Sequence, residues 1–305
     1  MTTLVSGGTG LVGRYIVNAL LEAGHHVVVA GRHRPSGSLF SEPVRFRQLS
    51  LRDDHVPTGL FDDVRTFVHA AFDHEPGRYR GGEGDDPNGF RERNLAGSVR
   101  LFEAARKTGV ARTVFLSSRA VYDGLAAGKM LTEDAPLSPT SLYGQVKLDC
   151  EDALSGLNAP GFMTASLRLT GVYGGLRPNK WDGLIADCLA DKEVPVRAGS
   201  EVHGEDVGKA VRLMLEAKAE DIGGRSFNVS DIVADTRDIL AGLGVTGTSL
   251  PEAADRSSVA VMDTAQIRGL GWQPGGWPLF TDTLRALARD TGLGLAPHRA
   301  MQKDS

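Results

Sequence analysis

Cysteine is almost missing from this chain: its 305 residues hold two, Cys150 and Cys188. Two thiols in helix-like stretches cannot build a disulfide framework or a four-ligand zinc site, so two buried, reduced thiols are expected. His69, His74 and His203 have no second ligand at metal spacing, and no metal is expected. No apolar run approaches the ~20 residues that cross a bilayer, which argues against a membrane partner. The opening MTTLVSGGTG lacks the basic start and apolar core of a signal peptide and reads as strand from its third residue, so a cytoplasmic protein is expected. Positive charge is not in excess either. Lys and Arg total 34 against 38 Asp and Glu, a formal charge of −4, the wrong sign for neutralising nucleic-acid phosphates.

What is present is ordinary globular material, 41% hydrophobic and 24% charged, enough for one large α/β domain or a main domain with a small lobe. The first half alternates short apolar runs with helix-period stretches. Strands are predicted at 3–6, 26–30, 44–49, 66–70, 113–117 and 164–169, and helices at 11–23, 90–107 and 142–157. The runs at 44–49 and 66–70 scarcely alternate in polarity, which predicts burial on both faces. The pattern is that of a doubly wound parallel sheet, the Rossmann architecture. After Gly174 the rhythm changes to helices at 181–189 and 206–217, a late strand at 226–229, and short helices broken by glycine and proline. Residues 1–173 are therefore assigned to the sheet domain, to which 226–229 returns, 174–296 mainly to a substrate lobe, and 297–305 to a polar tail. The stretch 72–89, FDHEPGRYRGGEGDDPNG, has no periodicity, and loops of this length are commonly substrate lids or plain surface loops.

The strongest local signal is Gly7-Gly8-Thr9-Gly10-Leu11-Val12-Gly13, placed after a strand and opening a helix. Gly7 allows the tight turn, Gly10 lets backbone approach a pyrophosphate, and Gly13 permits helix and strand to pack closely; the helix N-terminus then faces the anion. Dinucleotide contacts are expected from Gly7, Thr9, Gly10, Leu11, Val12 and Gly13. The second strand ends Ala30-Gly31-Arg32-His33-Arg34, without the carboxylate that would accept hydrogen bonds from a ribose 2′-hydroxyl. Arg32 and Arg34 can instead clamp a 2′-phosphate, so NADP is the preferred cofactor, with NAD as the alternative. Further on, Tyr143 and Lys147 are spaced to share one helical face. An ammonium near a phenol favours the phenolate, which makes proton exchange with a substrate hydroxyl feasible.

Around these motifs the chain resembles, over nearly its whole length, the extended short-chain dehydrogenase/reductases, the NAD(P)-dependent epimerase/dehydratase group. Val68-His69-Ala70-Ala71 resembles the strand under the cofactor, and Asn94-Leu95-Ala96-Gly97-Ser98 the helix with the family's asparagine. Phe115-Leu116-Ser117-Ser118-Arg119-Ala120-Val121-Tyr122 resembles the serine strand, and registering it on Val121-Tyr122 selects Ser118. Leu167 to Gly174 resembles the segment reaching the nicotinamide side, through Leu169 and Val172, and Leu270-Gly271-Trp272-Gln273-Pro274 the C-terminal signature. The resemblance implies that Tyr143 is the general acid/base, that Lys147 holds the nicotinamide ribose, that Ser118 orients the substrate oxygen, and that Asn94 steadies a water-linked proton relay. It places Ala70 and Ala71 beside the cofactor and Ser50 and Leu51 near the adenine, where the family more often has an acid. It also implies a homodimer through the two long helices.

Departures from the pattern narrow the reaction. Arg119 and Ala120 stand where the dehydratases carry an Asp-Glu pair, which disfavours water elimination. The arginine–aromatic pair that epimerases use to hold a diphosphate is not matched. Arg119 and Phe72 are candidates for substrate contact, Arg119 because a cation there could hold an anionic group, or else pair with a surface acid. The expected activity is hydride transfer between nicotinamide and a secondary alcohol or ketone of a small polar substrate, sugar-like or acidic. The alternatives are a sugar or nucleotide-sugar epimerase using the same Ser118, Tyr143 and Lys147, and a non-catalytic NADP(H) sensor.

Overall fold

A computed structural model describes residues 1–35, 39–75, 81–126, 128–247 and 250–291. Among these residues ten strands, β1 (Thr2–Ser6), β2 (His26–Gly31), β3 (Arg45–Gln48), β4 (Thr66–His69), β5 (Arg112–Ser118), β6 (Met163–Leu169), β7 (Gly171–Tyr173), β8 (Ala198–His203), β9 (Arg225–Val229) and β10 (Ile232–Asp235), form two sheets. The larger is wholly parallel in the order β3-β2-β1-β4-β5-β6-β9. The chain runs outward from β1 in both directions, so a crevice opens at the carboxyl ends of β1 and β4. The smaller sheet, in the order β10-β8-β7, holds an antiparallel pair and a parallel pair. Among the described residues no helix is long and apolar enough to cross a membrane.

The helices are α1 (Leu11–Glu22), α2 (Pro87–Arg91), α3 (Gly97–Lys107), α4 (Leu142–Gly156), α5 (Asp182–Leu189), α6 (Gly204–Glu216), α7 (Ala219–Ile222), α8 (Thr236–Gly242), α9 (Ala265–Gly269) and α10 (Gly276–Thr291). Successive side chains of the central strands enter opposite cores, which is why these strands read as unbroken apolar runs. Val5, Val68, Val114 and Leu116 join Ile16, Leu20, Val207 and Val211 of α1 and α6. Leu4, Phe67 and Phe115 join Leu101 and Phe102 of α3 and Val146, Cys150 and Leu154 of α4. A separate core under the small sheet gathers Tyr173, Trp181, Ile232, Leu240 and Phe280.

Several expectations need correction. β3 is an edge strand and half-exposed, not buried on both faces. Cys188 is half-buried, whereas Cys150 is fully buried. The three-stranded lobe sheet was not expected, and the C-terminal part contains a 16-residue helix, α10, rather than short helices alone. Its Pro278 sits in the first turn, where the missing N–H has no intrahelical partner to lose. The helix expected at 90–107 is interrupted by a π-helical turn, Glu92–Ala96. The tail at 297–305 lies outside the described residues. Trp272 is a packing residue, buried, with its indole N–H donated to the Asp206 carbonyl at 2.8 Å.

Inside the main sheet His69 is fully buried between two serines, Ser6 Oγ at 2.6 Å from Nδ1 and Ser98 Oγ at 2.8 Å from Nε2. Ser98 donates to the Asn94 carbonyl at 2.5 Å, so it accepts from Nε2–H, and Nδ1 accepts from Ser6. Burial, reinforced by the Lys147 charge, pushes the imidazole down to about 3. The folded state thus resists a proton that the unfolded chain takes up below ~6.5. Stability is expected to fall as pH drops from ~6.5 towards 3, by about 1.4 kcal/mol per pH unit from this group alone. Urea midpoints measured between pH 7 and 4 should fall less steeply in His69→Gln than in the wild type.

Candidate active site at the carboxyl edge of the sheet

The glycine turn joins β1 to α1. Gly7 has φ +71°, and a Cβ there would lie 2.6 Å from the Ala71 nitrogen, so the turn and the end of β4 touch. A Cβ at Gly13 would fall on the Gly7 carbonyl oxygen, which brings α1 against the turn. Gly10 caps α1 with no side-chain hydrogen bond, and no acidic residue stands in the first turn. Thr9 and Gly10 are exposed, and Leu11 and Val12 are half-buried. A bare, positively polarised helix end opening from a glycine cradle fits a pyrophosphate.

Across the crevice, α4 carries Tyr143 and Lys147. Ser141 caps this helix through Gly144 N–H at 3.1 Å, and a Cβ at Gly144 would come within 2.7 Å of the Ala120 carbonyl. Glycine beside the tyrosine therefore lets α4 seat on the 3₁₀ turn Arg119–Tyr122 that follows Ser118. The Tyr143 ring meets Phe72 edge-on, centroids 5.2 Å apart, and Phe72 in turn meets Phe90. Lys147 is buried, its ammonium 4.4 Å from the Phe72 centroid, 4.7 Å from Phe115 and 5.9 Å from Tyr143. Its one hydrogen-bond acceptor among the described residues is the Leu116 carbonyl, at 2.6 Å. An ammonium has three donors, so Lys147 retains donors for a ligand. These features together fit a dinucleotide.

Ser118 ends β5 half-buried, its hydroxyl accepting from Ala120 N–H at 3.1 Å. Its neighbour Ser117 points the other way and donates to Glu151, so the strand's alternation separates the two serines. Leu169 is paired with Ser118 across β5 and β6, and Val172 follows on β7. Asn94 lies in the π-helical turn, fully buried. Its Oδ1 accepts from Asp73 N–H at 2.6 Å, and its Nδ2 donates to the carbonyls of Asp73 and Phe90 at 2.8 and 3.0 Å. Its amide thus fastens the chain just beyond Phe72. Arg119 turns from the strand towards Asp123, 3.5 Å away, and the Ala260 carbonyl at 3.3 Å.

At the far end of the crevice Asp73 draws three arginines: Arg52 at 2.8 Å, Arg93 at 3.0 Å and Arg32 at 3.9 Å. Arg34 lies over the Phe46 ring of β3 instead. Arg52, in the turn beyond β3, was overlooked although it adjoins Ser50 and Leu51. Ser50 accepts from Arg52 N–H at 3.1 Å, and the Leu51 side chain is buried in the core. Of the segment 72–89, residues 76–80 lie outside the described residues. In the lobe, a cavity of about 250 Å³ is lined by Lys180, Arg197, Glu201, Asp235 and Thr236 among others. A Cβ at Gly171 on β7 would meet the Lys180–Glu201 ion pair, which places that pair beside the strand following Leu169. Among the described residues no group of three or more His, Cys, Asp and Glu is placed to hold a metal.

Comparison with known proteins adds a match to the model of the NAD dependent epimerase/dehydratase family over residues 3–230. A UDP-glucose 4-epimerase from Corynebacterium glutamicum is 27% identical, the alignment covering 99% of this chain and 100% of the relative. One from Lacticaseibacillus casei is 27% identical over 90% of this chain and 92% of the relative. The crystal structure of a Thermus thermophilus UDP-glucose 4-epimerase in complex with NAD superposes with a TM-score of 0.74 at 26% identity, covering 93% of this chain and 99% of that one.

Burial pushes the Lys147 ammonium down to about 8, against a smaller opposing pull from Cys150 and Glu151. The folded state therefore disfavours this charge, at a cost relieved as pH rises from ~8 to ~10.5. The stability of the wild type minus that of Lys147→Met should rise across this window and level off outside it, read from urea denaturation at fixed ionic strength.

Proposed function

We propose that this chain, which belongs to the NAD dependent epimerase/dehydratase family, catalyses hydride transfer at a secondary carbinol or ketone carbon of a small polar, sugar-like substrate. The observation that carries this reading is the buried Lys147 ammonium held among Phe72, Phe115 and Tyr143 at the crevice opposite the glycine turn. A nicotinamide dinucleotide, when bound, supplies the acceptor and donor of the hydride. Gly7, Gly10 and Gly13 give its pyrophosphate close backbone approach, with Thr9, Leu11 and Val12 around it and Ala70 and Ala71 alongside. Tyr143 takes the proton of the substrate hydroxyl on oxidation and returns it on reduction. Lys147 favours the phenolate and has donors for a ribose hydroxyl, and Ser118 donates to the substrate oxygen. Asn94, with its amide spent on backbone, serves by pinning Phe72 against Tyr143 rather than by carrying a proton.

Epimerisation of a nucleotide sugar is the second reading. It draws support from the two bacterial relatives, both UDP-glucose 4-epimerases aligned over nine-tenths or more of their length. Both readings need the same proton exchange at Tyr143. Tyr143→Phe is expected to bind NADH within about threefold of the wild type and to turn over 10²- to 10⁴-fold more slowly. UDP-glucose, UDP-glucuronic acid and free sugar acids serve as probes. Stoichiometric change in nicotinamide absorbance marks net redox, and a new C4 epimer without such change marks epimerisation. A wild-type rate in Tyr143→Phe removes Tyr143 as the acid/base, and absence of turnover of every probe by the wild type removes the enzymatic account.

The cofactor is NAD(P). Arg32, directly after β2, and Arg52, in the turn beyond β3, are both mostly solvent-exposed and gathered on Asp73, with no carboxylate directly after β2. This favours the 2′-phosphorylated form, although the Thermus relative holds NAD. Asp73→Asn should free both guanidinium groups and tighten NADPH binding several-fold while leaving NADH unchanged, as read from the fluorescence of the bound nicotinamide. Loss of NADH affinity in that variant would instead give Asp73 to the ribose hydroxyls and make NAD the cofactor.

A further inference from the structure

One turn beyond Lys147, α4 aims a second charged side chain into the protein. Glu151 is buried, its side chain 4% exposed, and three adjacent strands each supply a donor to its one carboxylate. Ser117 of β5 donates to Oε1, Arg168 of β6 donates Nε and Nη2 to Oε2 at 3.0 and 2.8 Å, and Ser226 of β9 donates to Oε2 at 2.9 Å. The ladder explains the convergence. Ser117 and Arg168 are paired side by side across β5 and β6, and Ser226 lies two residues before Asn228, the partner of Arg168 on β9, so all three side chains leave the same face of the sheet, towards α4.

The same guanidinium also reaches the far side of Ser118. Arg168 Nη1 donates to the Tyr122 hydroxyl at 2.6 Å, and that hydroxyl donates to Asn228 Oδ1 at 2.9 Å. Ser117 precedes Ser118 and Tyr122 ends the 3₁₀ turn after it, so both flanks of the strand end are tied into one network. A buried ion pair is poor value as stabilisation, because apolar residues of similar volume commonly do as well or better. What such a network does that an apolar patch cannot is fix one register of helix on strand and place a charge.

We propose that Glu151 is a positioning residue, which locks the turn of α4 bearing Lys147 to the strand end bearing Ser118 and sets a buried negative charge beside the Lys147 ammonium. The proposal rests on the reading of Lys147 as the group that favours the phenolate and holds the dinucleotide. The ionisable groups facing Lys147 are His69 from β4 and Tyr143, Cys150 and Glu151 from α4 itself, with Arg168 of β6 behind Glu151. His69 is neutral at physiological pH, and burial holds the Cys150 thiol up at about 11, so neither brings a negative charge near pH 8. Glu151 does, and its pull on Lys147 favours the ammonium.

The test needs no substrate. The protein is labelled with ¹³C at lysine Cε, Lys147 is assigned by its loss in Lys147→Arg, and its titration is followed by NMR. The wild-type midpoint is expected near 8. Glu151→Gln alone would strand the Arg168 charge in the interior, so two charge-neutral double variants are used, Glu151→Gln with Arg168→Gln and the apolar Glu151→Leu with Arg168→Met. In each that folds by circular dichroism, the Lys147 midpoint should fall by about half a pH unit or more, and NADH near pH 7.5 should bind about 1.5-fold or more weakly than to the wild type, as the protonated fraction of Lys147 drops from about three quarters to about half. A smaller displacement of the midpoint in a folded double variant overturns the proposal and leaves the network as packing. That result would be independent of Tyr143→Phe, whose failure to slow turnover would sink the catalytic reading instead.

Discussion

A cation taken out of water is the constraint around which this site is arranged. Lys147 has exchanged its hydration shell for two aromatic faces and one backbone carbonyl, and a bare ammonium of that kind is tolerated only where its surroundings hold still. The surroundings are held by parts far apart in the chain. Phe72 is fixed because Asn94 grips the backbone of Asp73, Phe115 because it stands in the middle of β5, and the Leu116 carbonyl because both neighbouring strands pair with β5. The π-helical turn that offers Asn94 to Asp73, with one extra residue in the helical path, belongs to the same requirement.

Much of the fold was legible because local chemistry and global architecture agree there. A glycine turn between a strand and a helix has few other uses than close backbone approach, and apolar runs without alternation predict strands covered on both faces. The spacing of Tyr143 and Lys147 was enough to bring them to one helical face, while the role read for the pair came from the serine strand and the family resemblance. Ser118 needed registration on Val121-Tyr122, and strand alternation separates it from Ser117, which is bound to Glu151.

The unread parts are those in which distance along the chain is large and local signal small. β7 has three residues, and β8 contains Gly199, Ser200 and Glu201, so neither shows a strand pattern until its neighbours are placed. The gathering of Arg32, Arg52 and Arg93 on Asp73 joins four segments, and of these four residues only Arg32 had been singled out by itself. The grip of the Asn94 amide on the backbone of Asp73 and Phe90 was likewise unread, a matter of orientation on which residue type is silent. The edge position of β3 was hidden for a related reason, since a sheet's order is not written in any single strand.

The late return of β9 to the main sheet has a consequence for biosynthesis. β6 pairs with β9 along Ala165 to Leu169, and the face covered by α1 is also covered by α6, so a nascent chain that has emerged only as far as Tyr173 offers solvent or a chaperone an unpaired strand edge and an uncovered apolar surface. Closure waits until the ribosome has delivered Val229, and with it the whole first half of the lobe. The nucleotide-binding half is first in the message but cannot be first to finish folding, and a gene fragment cut at that apparent boundary would encode an incomplete sheet.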